Sequence, residues 1–313
     1  MHLIRGLTHL KPIEKGCVLS IGNFDGVHIG HRKVIEKLAK KAKAVNLPVV
    51  IMLFEPQPLE FFLAENAPSR LMRLREKVIQ FQSLPVDKLL IVKFNQQFAD
   101  YEANDFISDF LVAKLNVKHL VIGDDFHFGK ARCGNFAMLK QKGQLFGFEV
   151  EDTQSYYVQK DRVSSTLIRD ALGLGDLTKA KLMLGQDYSV CGRVAHGDKR
   201  GRTIGFPTAN IQMFRKNTPI AGVFAVTMTG IDHKEVQGIA NVGTRPTVDG
   251  GEKVILETHL FDFNQEIYGK YVEVHFKQKI RNEVRFQSFD ELKQQIEKDI
   301  MIAKQFFAIN IRK

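Results

Sequence analysis

The chain has 313 residues, of which 44% are hydrophobic, and its 45 Lys and Arg against 35 Asp and Glu give a formal charge of +10. This length favours two domains over one core, and the charge suits nucleic acid, an anionic membrane surface or phosphorylated small molecules. No stretch approaches the roughly 18 apolar residues of a membrane span, and the N-terminus lacks the apolar core of a signal peptide. Cys17, Cys133 and Cys191 are scattered, without the spacing of a zinc site. We therefore expect a soluble protein of the reducing cytoplasm.

Short apolar runs alternate with amphipathic stretches over residues 17–185. The pattern predicts strands in CVLSIG, LPVVIMLF, DKLLIVKF, KHLVIG and FEVEDT, and helices in HRKVIEKLAKKAKAVN, LMRLREKVIQFQ, ANDFISDFLVAKL and NFAMLKQKGQLFG. Strands alternating with helices indicate an α/β, Rossmann-like domain whose parallel sheet is covered on both faces. In such sheets ligands bind at the carboxyl ends of the strands.

Two-residue alternation replaces the helical spacing after residue 185. In KYVEVHFKQ, for example, Val272, Val274 and Phe276 share one face, and several such strands predict a small antiparallel β-barrel. The chain ends in a predicted helix, whose capping-box pair is Ser288 and Glu291 and whose apolar stripe comprises Leu292, Ile296, Ile300, Ala303 and Phe307. A boundary at residues 184–188 gives domains of residues 1–185 and 186–313.

The first candidate site is the HxGH pattern formed by His28, Gly30 and His31. Composition predicts about 0.02 chance occurrences of this pattern. The motif follows the first strand and opens the first helix, where unpaired N–H groups and the helix dipole favour a phosphate. We interpret the two histidines as donors to nucleotide phosphates, which stabilise the charge that develops as a phosphate ester is attacked. Helix capping or packing is the alternative.

A second segment, RVSSTLIRDAL, combines hydroxyls with a guanidinium. Ser164 and Ser165 are typical helix-start residues, and Arg169 lies one helical turn after Ser165. Together they could hold a departing pyrophosphate. An ordinary N-cap followed by a solvent-exposed arginine is an equally good interpretation of this segment alone.

The stretch GRVAHGDKRGRTIGFPTANI in the second half is a candidate phosphate loop without a Walker sequence. Its glycines, which permit a mobile loop, are Gly192, Gly197, Gly201 and Gly205. The basic residues at its tip, which would suit phosphates, are Lys199, Arg200 and Arg202. If the chain after Pro207 is extended, Thr208 and Asn210 point to one side and could hold Mg²⁺ and ATP phosphates. A flexible basic loop followed by an ordinary turn is the alternative.

Glu257, in VILETHLFDF, shares a predicted strand face with Ile255 and His259, opposite Leu256 and Thr258. A carboxylate there could accept the proton of an attacking hydroxyl in phosphoryl transfer. The pattern alone favours a solvated strand.

The motifs GNFDGVHIGH, FEPQP, VIGDDFHFG and VSSTLIR resemble the nucleotidyltransferase half of the bacterial bifunctional riboflavin kinase/FMN adenylyltransferases, the FAD synthetase family. GDKRGRTIGFPTAN, ANVGTRPT, ETHLFDF with YGKYVEV, and FQSFDEL resemble the riboflavin kinase half, in order and over its full length. Family kinase domains are six-stranded antiparallel barrels. The departures are small: Gln57 stands where many relatives carry histidine, and Val163 where isoleucine is common.

The resemblance implies two activities, phosphorylation of riboflavin by ATP to FMN and adenylyl transfer from ATP to FMN, with Mg²⁺ as cofactor. It implies catalytic roles for His28, His31, Arg169 and Glu257, the last as general base, and Mg²⁺ contact at Thr208 and Asn210. The implied ATP and phosphate contacts are Gly22, Asn23, Phe24, Asp25, Gly26, Ser164, Ser165, Thr166, Gly192, Lys199, Gly205, Pro207, Thr208 and Asn210. Candidate flavin contacts are Asp124, Asp125, Phe126, Arg281 and Arg285.

Two other functions are weighed against this one. A nucleotidyltransferase acting on another phosphorylated substrate, with the barrel as a binding module, would share the first site. The positive charge also permits an RNA-binding protein, but aromatic residues are not interleaved with basic ones in an RNP-like pattern. We therefore expect ATP, riboflavin, FMN and FAD as ligands, no nucleic acid or membrane partner, and a monomer or weak homo-oligomer.

Overall fold

The computed structural model describes residues 1–123, 125–197, 205–232, 234–246 and 252–310. The backbone separates into two compact units. One comprises Met1–Pro68 and Met72–Val163, and the other Ser69–Leu71 and Ser164–Lys313. Each unit is described by itself. Within the described ranges, no helix is both long enough and apolar enough to cross a membrane.

The first unit is built on a six-stranded sheet in the order β1-β4-β3-β2-β5-β6, in which every neighbouring pair is parallel. Its strands are β1 (His2–Arg5), β2 (Cys17–Ile21), β3 (Val49–Glu55), β4 (Lys88–Lys93), β5 (Val117–Ile122) and β6 (Glu149–Asp152). A separate hairpin pairs β7 (Tyr157–Val158) with β8 (Asp161–Arg162). The predicted parallel sheet is confirmed.

The helices of this unit connect the strands. They are α1 (Ile29–Val45), α2 (Pro58–Leu63), α3 (Leu74–Gln82), α4 (Gln96–Ala99), α5 (Ala103–Asp105), a π-helix (Phe106–Lys114) that continues α5, and α6 (Phe136–Phe146). Short 3₁₀ turns lie at Leu7–His9, Ala64–Asn66 and Lys130–Arg132. The predicted helix in ANDFISDFLVAKL is therefore present, but mostly with i→i+5 bonding, as between the Leu115 N–H and the Phe110 carbonyl at 2.9 Å.

Both faces of the sheet are buried because successive strand side chains point to opposite sides. In β2, Leu19 and Ile21 pack into one core cluster with the aromatic residues of the π-helix, whereas Val18 packs into a second cluster with α1. The near-continuous apolar runs that indicated a covered parallel sheet follow from this arrangement.

The second unit contains a closed six-stranded barrel in the order β10-β13-β12-β11-β14-β9, with antiparallel neighbours throughout. The strands are β9 (Ser189–Ala195), β10 (Ala209–Gln212), β11 (Gly222–Ile231), β12 (Lys234–Pro246), β13 (Glu252–Leu260) and β14 (Tyr271–Arg281). Val272, Val274 and Phe276 point into its interior and are at most 1% exposed. The predicted barrel is confirmed.

The helices described in this unit are α7 (Ser165–Leu174), α8 (Leu177–Leu184) and α9 (Phe289–Asn310). The predicted cap is present, since the Ser288 hydroxyl accepts from the Glu291 N–H at 3.2 Å, while the Glu291 carboxylate accepts from the Gln287 N–H at 3.0 Å. From the predicted stripe, Ala303 and Phe307 are buried against Ala225 and Ile239 of the barrel.

An ion pair lies beneath α9. The Asp299 carboxylate, 1% exposed, accepts bonds of 2.9–3.0 Å from Nε and Nη2 of Arg281, and Oδ1 also accepts from Gln295 at 2.9 Å. Removing one partner of a buried pair leaves the other charge uncompensated. The helix is therefore held to β14 by polar as well as apolar contacts.

We predict that Asp299→Ala lowers the free energy of unfolding of the second unit by about 3 kcal/mol, because Arg281 loses its partner. Urea denaturation followed by circular dichroism measures the change. The control is Asp262→Ala, since the Asp262 side chain is 89% exposed and lies 4.0 Å from Lys304; exposed pairs contribute about 0–1 kcal/mol. Equal losses in the two variants would contradict the prediction.

Candidate functional sites

The first candidate site lies at the carboxyl edge of the parallel sheet. The loop of residues 22–28 follows β2, which lies between β3 and β5. From β2 the chain continues to β3 on one side of β2, and the later strand β5 lies on the other side of β2. This edge is therefore a topological switch point, where open α/β sheets bind ligands.

His28 and His31 form a stacked pair at the start of α1. His28 is the N-cap, and its Nδ1 accepts from the His31 N–H at 3.3 Å. The ring centroids lie 3.5 Å apart with an interplanar angle of 14°. A Cβ at Gly30 would lie 3.2 Å from His28 Nδ1 and Cε1, so this glycine gives the ring room. The capping role that was the alternative interpretation is thus present, at the position where the anion site is predicted.

Both histidines are held neutral. Burial lowers the pKa of His28 to about 4, partly offset by Asp25, and lowers the pKa of His31 well below its usual value, with contributions from His28 and Lys77. Because His28 Nδ1 accepts a hydrogen bond, its neutral ring carries the proton on Nε2. Nδ1 of His31 is buried and has no hydrogen-bond partner among the described residues. The pair thus offers uncharged imidazole groups at a helix start.

The rest of the GNFDG loop is fixed by protein contacts. Gly22 follows β2, and its N–H donates to the Met52 carbonyl at 3.2 Å. Phe24 is 4% exposed, and its ring lies 4.9 Å from that of His31. Asp25 is 2% exposed and accepts from the Met72 N–H at 3.0 Å. Gly26, with φ of 84°, adopts a left-handed conformation that suits glycine. The buried side chains of Phe24 and Asp25 thus hold the loop in place.

Lys77 is a site residue that the sequence analysis missed. It lies on α3, is 1% exposed, and its Nζ donates to the Asn23 carbonyl at 2.9 Å. The available signal is its spacing, because Lys77 lies four residues before the fully buried Phe81 and therefore on the inward face of the helix. A buried ammonium group thus anchors the loop that precedes the histidine pair.

Other predicted contacts lie at the same edge. Asp125 and Phe126 follow β5; Asp125 is exposed, and the Phe126 ring stacks on that of Phe128 at 5.7 Å. Asp124 lies outside the described residues. Gln57 follows β3, is 7% exposed, and its Nε2 has no hydrogen-bond partner in the described ranges. Three strand ends therefore supply residues to one edge.

The predicted pyrophosphate segment caps and begins α7, in the second unit. The Ser164 hydroxyl accepts from the Leu167 N–H at 3.2 Å, as an N-cap does. Ser165 and Thr166 form the first turn, and Thr166 is exposed. Arg169, half-buried, donates from Nε to the Ser69 carbonyl at 2.6 Å. The hydroxyls and the guanidinium therefore lie within two turns of one helix start.

The second candidate site is a row of polar residues across the barrel. Asn210 of β10 is directly paired with Glu257 of β13, and Glu257 with Asn241 of β12. The predicted alternation of β13 is confirmed, because Leu256 and Thr258 are buried while Glu257 is half-buried. Paired residues of antiparallel strands have Cβ atoms about 5 Å apart on one face. Strand pairing thus brings Asn210 and Glu257 together and adds Asn241, which the sequence prediction did not include.

The segment before β10 is held by His259, whose Nδ1 donates to the Pro207 carbonyl at 2.9 Å. Thr208 directly precedes the strand and is half-buried. Gly197 lies against the Asn210 amide, where a Cβ would overlap the side chain. Gly192 allows β10 to approach β9 closely, since a Cβ would lie 2.5 Å from the Gln212 carbonyl oxygen.

The remaining predicted residues are located as follows. Gly205 is exposed with φ of 89°, whereas Lys199, Arg200, Gly201 and Arg202 lie outside the described residues. Arg281 is bound to Asp299 and lies over the Phe286 ring, 5.6 Å from its centroid. Arg285 is exposed. Arg281 is thus committed to a contact within the second unit.

The donor set around Asn210 limits the metal chemistry. In the described part of the chain, no group of three His, Cys, Asp or Glu side chains is arranged to hold a metal. Thr208 and Asn210 offer neutral oxygens, which are hard donors, and Mg²⁺ commonly combines such protein ligands with water and substrate phosphates. The residues present therefore fit a Mg²⁺ that is held mainly by a nucleotide.

Two family models match the chain. The FAD synthetase model matches residues 10–167, and the riboflavin kinase model matches residues 184–307. The first match covers the His28–His31 pair, and the second covers the Asn210–Glu257–Asn241 row. Together the models span most of the chain.

Similar proteins match over nearly the whole length. The chain is 52% identical over 307 residues to the bifunctional riboflavin kinase/FMN adenylyltransferase of Haemophilus influenzae, covering 98% of this chain and 99% of the relative. It is 48% identical over 310 residues to the protein of the same name from Escherichia coli, covering 99% of each. A crystal structure from Streptococcus pneumoniae, described as a macrolide-efflux protein, superposes with a TM-score of 0.80 at 30% identity, covering 97% of this chain and 99% of that one. The chain therefore belongs to the family of bifunctional riboflavin kinase/FMN adenylyltransferases.

Proposed function

We propose that this chain phosphorylates riboflavin with ATP to give FMN, and then adenylylates FMN with a second ATP to give FAD and pyrophosphate. The observation that carries the proposal is the stacked pair of neutral histidines at the start of α1, at the carboxyl edge of a parallel sheet. Full-length similarity to enzymes named for both activities supports it.

In the adenylyl transfer, a phosphate oxygen of FMN attacks the α-phosphate of ATP, and the bond to pyrophosphate breaks. Charge develops on the phosphate oxygens, and fixed hydrogen-bond donors stabilise it. His28 would donate to a phosphate oxygen through Nε2–H. His31 would bind the phosphate through its imidazole ring, whose Nδ1 has no hydrogen-bond partner among the described residues. Neutral donors suit this role because they need no proton transfer. Arg169, with Ser164, Ser165 and Thr166, would bind the departing pyrophosphate.

In the kinase reaction, the 5′-hydroxyl of riboflavin attacks the γ-phosphate of ATP, and ADP leaves. Glu257 would accept the hydroxyl proton as general base. Thr208 and Asn210 would bind the ATP phosphates, together with the glycine loop before them. Asn210 is directly paired with Glu257 in the barrel, which supports the grouping of base and phosphate contacts.

We propose Mg²⁺ as the cofactor, held by Thr208 and Asn210 with the ATP phosphates. Bound there, the ion would neutralise phosphate charge. The oxygen donors fit this ion, as described above. The protein's own residues would orient the phosphates and the alcohol around it.

The functional domains that we propose are residues 1–185 for adenylyl transfer and 186–313 for the kinase. We also propose a cytoplasmic location and a monomer or weak homo-oligomer. The three cysteines are free thiols, and Cys17 is a core residue whose pKa burial raises to about 12. Free thiols in this number are compatible with a reducing compartment.

The first prediction concerns the products. Incubation of the wild-type chain with riboflavin and Mg-ATP should yield FMN first and then FAD, with one pyrophosphate released for each FAD, as measured by liquid chromatography. Incubation with FMN and Mg-ATP should yield FAD directly. Formation of neither product, under oxidising and reducing conditions, would refute the proposed function, and FAD formed from FMN without phosphorylation of riboflavin would favour the binding-module alternative.

Variants at the two sites should separate the two activities. Removing one transition-state hydrogen-bond donor typically costs about 10²–10³ in rate, so His28→Ala should reduce FAD formation by about that factor and leave FMN formation unchanged. Glu257→Ala should reduce FMN formation by about 10²–10⁴ and leave adenylylation of added FMN intact.

The control for His28→Ala is His9→Ala, which removes an exposed histidine outside the site and should leave both rates unchanged. If His28→Ala and Glu257→Ala both stop adenylyl transfer alone, the barrel is not a kinase.

Acid should destabilise the first unit through His28. Its pKa of about 4 in the folded state lies below the usual 6.5, so between these values the unfolded chain binds the proton and the folded chain does not. The free energy of unfolding therefore falls as pH decreases from 7 to 5, by about 2 kcal/mol for this group. Asn is a good N-cap that does not titrate here, so His28→Asn should remove this part of the pH dependence.

Urea unfolding at pH 7 and pH 5 measures the difference between wild type and His28→Asn. His9→Asn serves as the exposed control and should retain the wild-type dependence. The same acid loss in wild type and His28→Asn would contradict the assignment of the neutral state to His28.

A further inference from the structure

The polar row of the barrel extends beyond Glu257 on the side opposite Asn210. Asn241 is directly paired with Glu257 and lies on the same face of the sheet. This face is the one from which Asn210 and Glu257 project, since the intervening Leu256 and Thr258 are buried. Glu257 is therefore flanked by an amide from each neighbouring strand.

The amide of Asn241 is itself held by a second carboxylate. Nδ2 of Asn241 donates to Oε1 of Glu283, which follows the end of β14, at 3.1 Å. An ionised carboxylate only accepts hydrogen bonds, so this contact assigns Nδ2, and not Oδ1, to the side that faces Glu283. The bond therefore fixes the orientation of the amide beside Glu257.

Gly243 makes this contact possible. It lies two residues after Asn241 on the same strand face, and a Cβ there would overlap the Glu283 carboxylate. The missing side chain lets the segment after β14 fold over β12. The absence of a side chain at Gly243 thus leaves the space that the Glu283 carboxylate occupies when it accepts from Asn241.

We propose that Asn241 and Glu283 are a positioning pair for the kinase reaction, in which Glu283 orients the Asn241 amide so that it holds the alcohol substrate against Glu257. This inference rests on the proposed kinase function. The substrate class follows from the chemistry of the row, because a carboxylate flanked by amides suits a polyol, whose hydroxyls both donate and accept. Glu283 acts through Asn241 and takes no proton itself.

The test uses Asn241→Ala, Glu283→Ala, their combination and Glu283→Gln in the full chain, with FMN formation measured against riboflavin and ATP. Loss of the hydrogen bond that orients the amide should lower kcat/KM for riboflavin by about 10-fold in each Ala variant. The KM for ATP and the adenylylation of added FMN should stay within about twofold of wild type.

The double variant should be no worse than the poorer single variant, because the two residues act as one unit. Glu283→Gln should retain most of the activity, since the glutamine carbonyl accepts the same hydrogen bond. The matched control is Glu273→Ala, which removes a β14 carboxylate bound to the Ser189 hydroxyl at 2.6 Å and should leave kcat/KM for riboflavin unchanged.

Wild-type kcat/KM for riboflavin in Asn241→Ala and Glu283→Ala would overturn the inference, as would multiplicative losses in the double variant. If Glu283→Ala fails to fold, a folded Glu283→Gln that is as inactive as Asn241→Ala also overturns it, because a neutral acceptor would then be insufficient. A wild-type chain that forms no FMN overturns the proposed function and this inference with it, whereas an active wild type with unaffected variants overturns the inference alone.

Discussion

The hydrogen bond from the His31 N–H to His28 Nδ1 determines the character of the first site. It makes His28 the cap of α1, assigns its proton to Nε2, and brings the second ring into a 3.5 Å stack. Burial then keeps both imidazoles neutral, since the charged forms would lose their hydration. Capping through Nδ1 is therefore compatible with the proposed binding of an anion through Nε2. The helix start is built so that one ring nitrogen serves the backbone while the other remains a donor.

Strand register plays the corresponding part in the barrel. Asn210, Glu257 and Asn241 are far apart in sequence, and their proximity follows from antiparallel pairing of three strands. A slip of one residue in β13 would turn Glu257 into the barrel interior and bring Leu256 or Thr258 to the outer face. The tightly packed interior thus protects the geometry of the outer row, because such a slip would expose Leu256 and bury a carboxylate.

Much of the fold could be predicted from the sequence, because the periodicity of apolar residues along a segment follows from which side chains are buried. The apolar runs of β2 to β6 and the alternation of β13 and β14 identify a covered parallel sheet and a barrel. Edge strand β1, with the sequence HLIR, was missed because two adjacent apolar residues between polar ones fit neither a buried run nor a two-residue alternation. The π-helix was not foreseen because such helices are rare, and an apolar-rich stretch of nine residues predicts a helix without distinguishing i→i+4 from i→i+5 bonding.

The residues of the two candidate sites also fall into those that the sequence could predict and those that it could not. His28, His31, Thr208 and Asn210 belong to contiguous motifs and could be named from the sequence. Lys77, Asn241 and Glu283 become significant through contacts with residues 40 or more positions away. Spacing places Lys77 on the inward face of α3 but does not indicate its partner, and nothing local distinguishes Asn241 and Glu283 from solvated side chains. Asp25 shows the converse, because its motif position indicated a ligand contact while its carboxylate binds the Met72 N–H inside the protein.

Gly30 shows how the residues of the HxGH motif depend on one another. An added methyl group would press on the His28 ring at 3.2 Å and disturb the stack with His31. The three positions of HxGH are consequently coupled, because a larger residue between the histidines requires the His28 ring to move by a few tenths of an ångström. Replacement of residue 30 therefore acts on the cap and on the stacked ring together, although neither ring is itself changed.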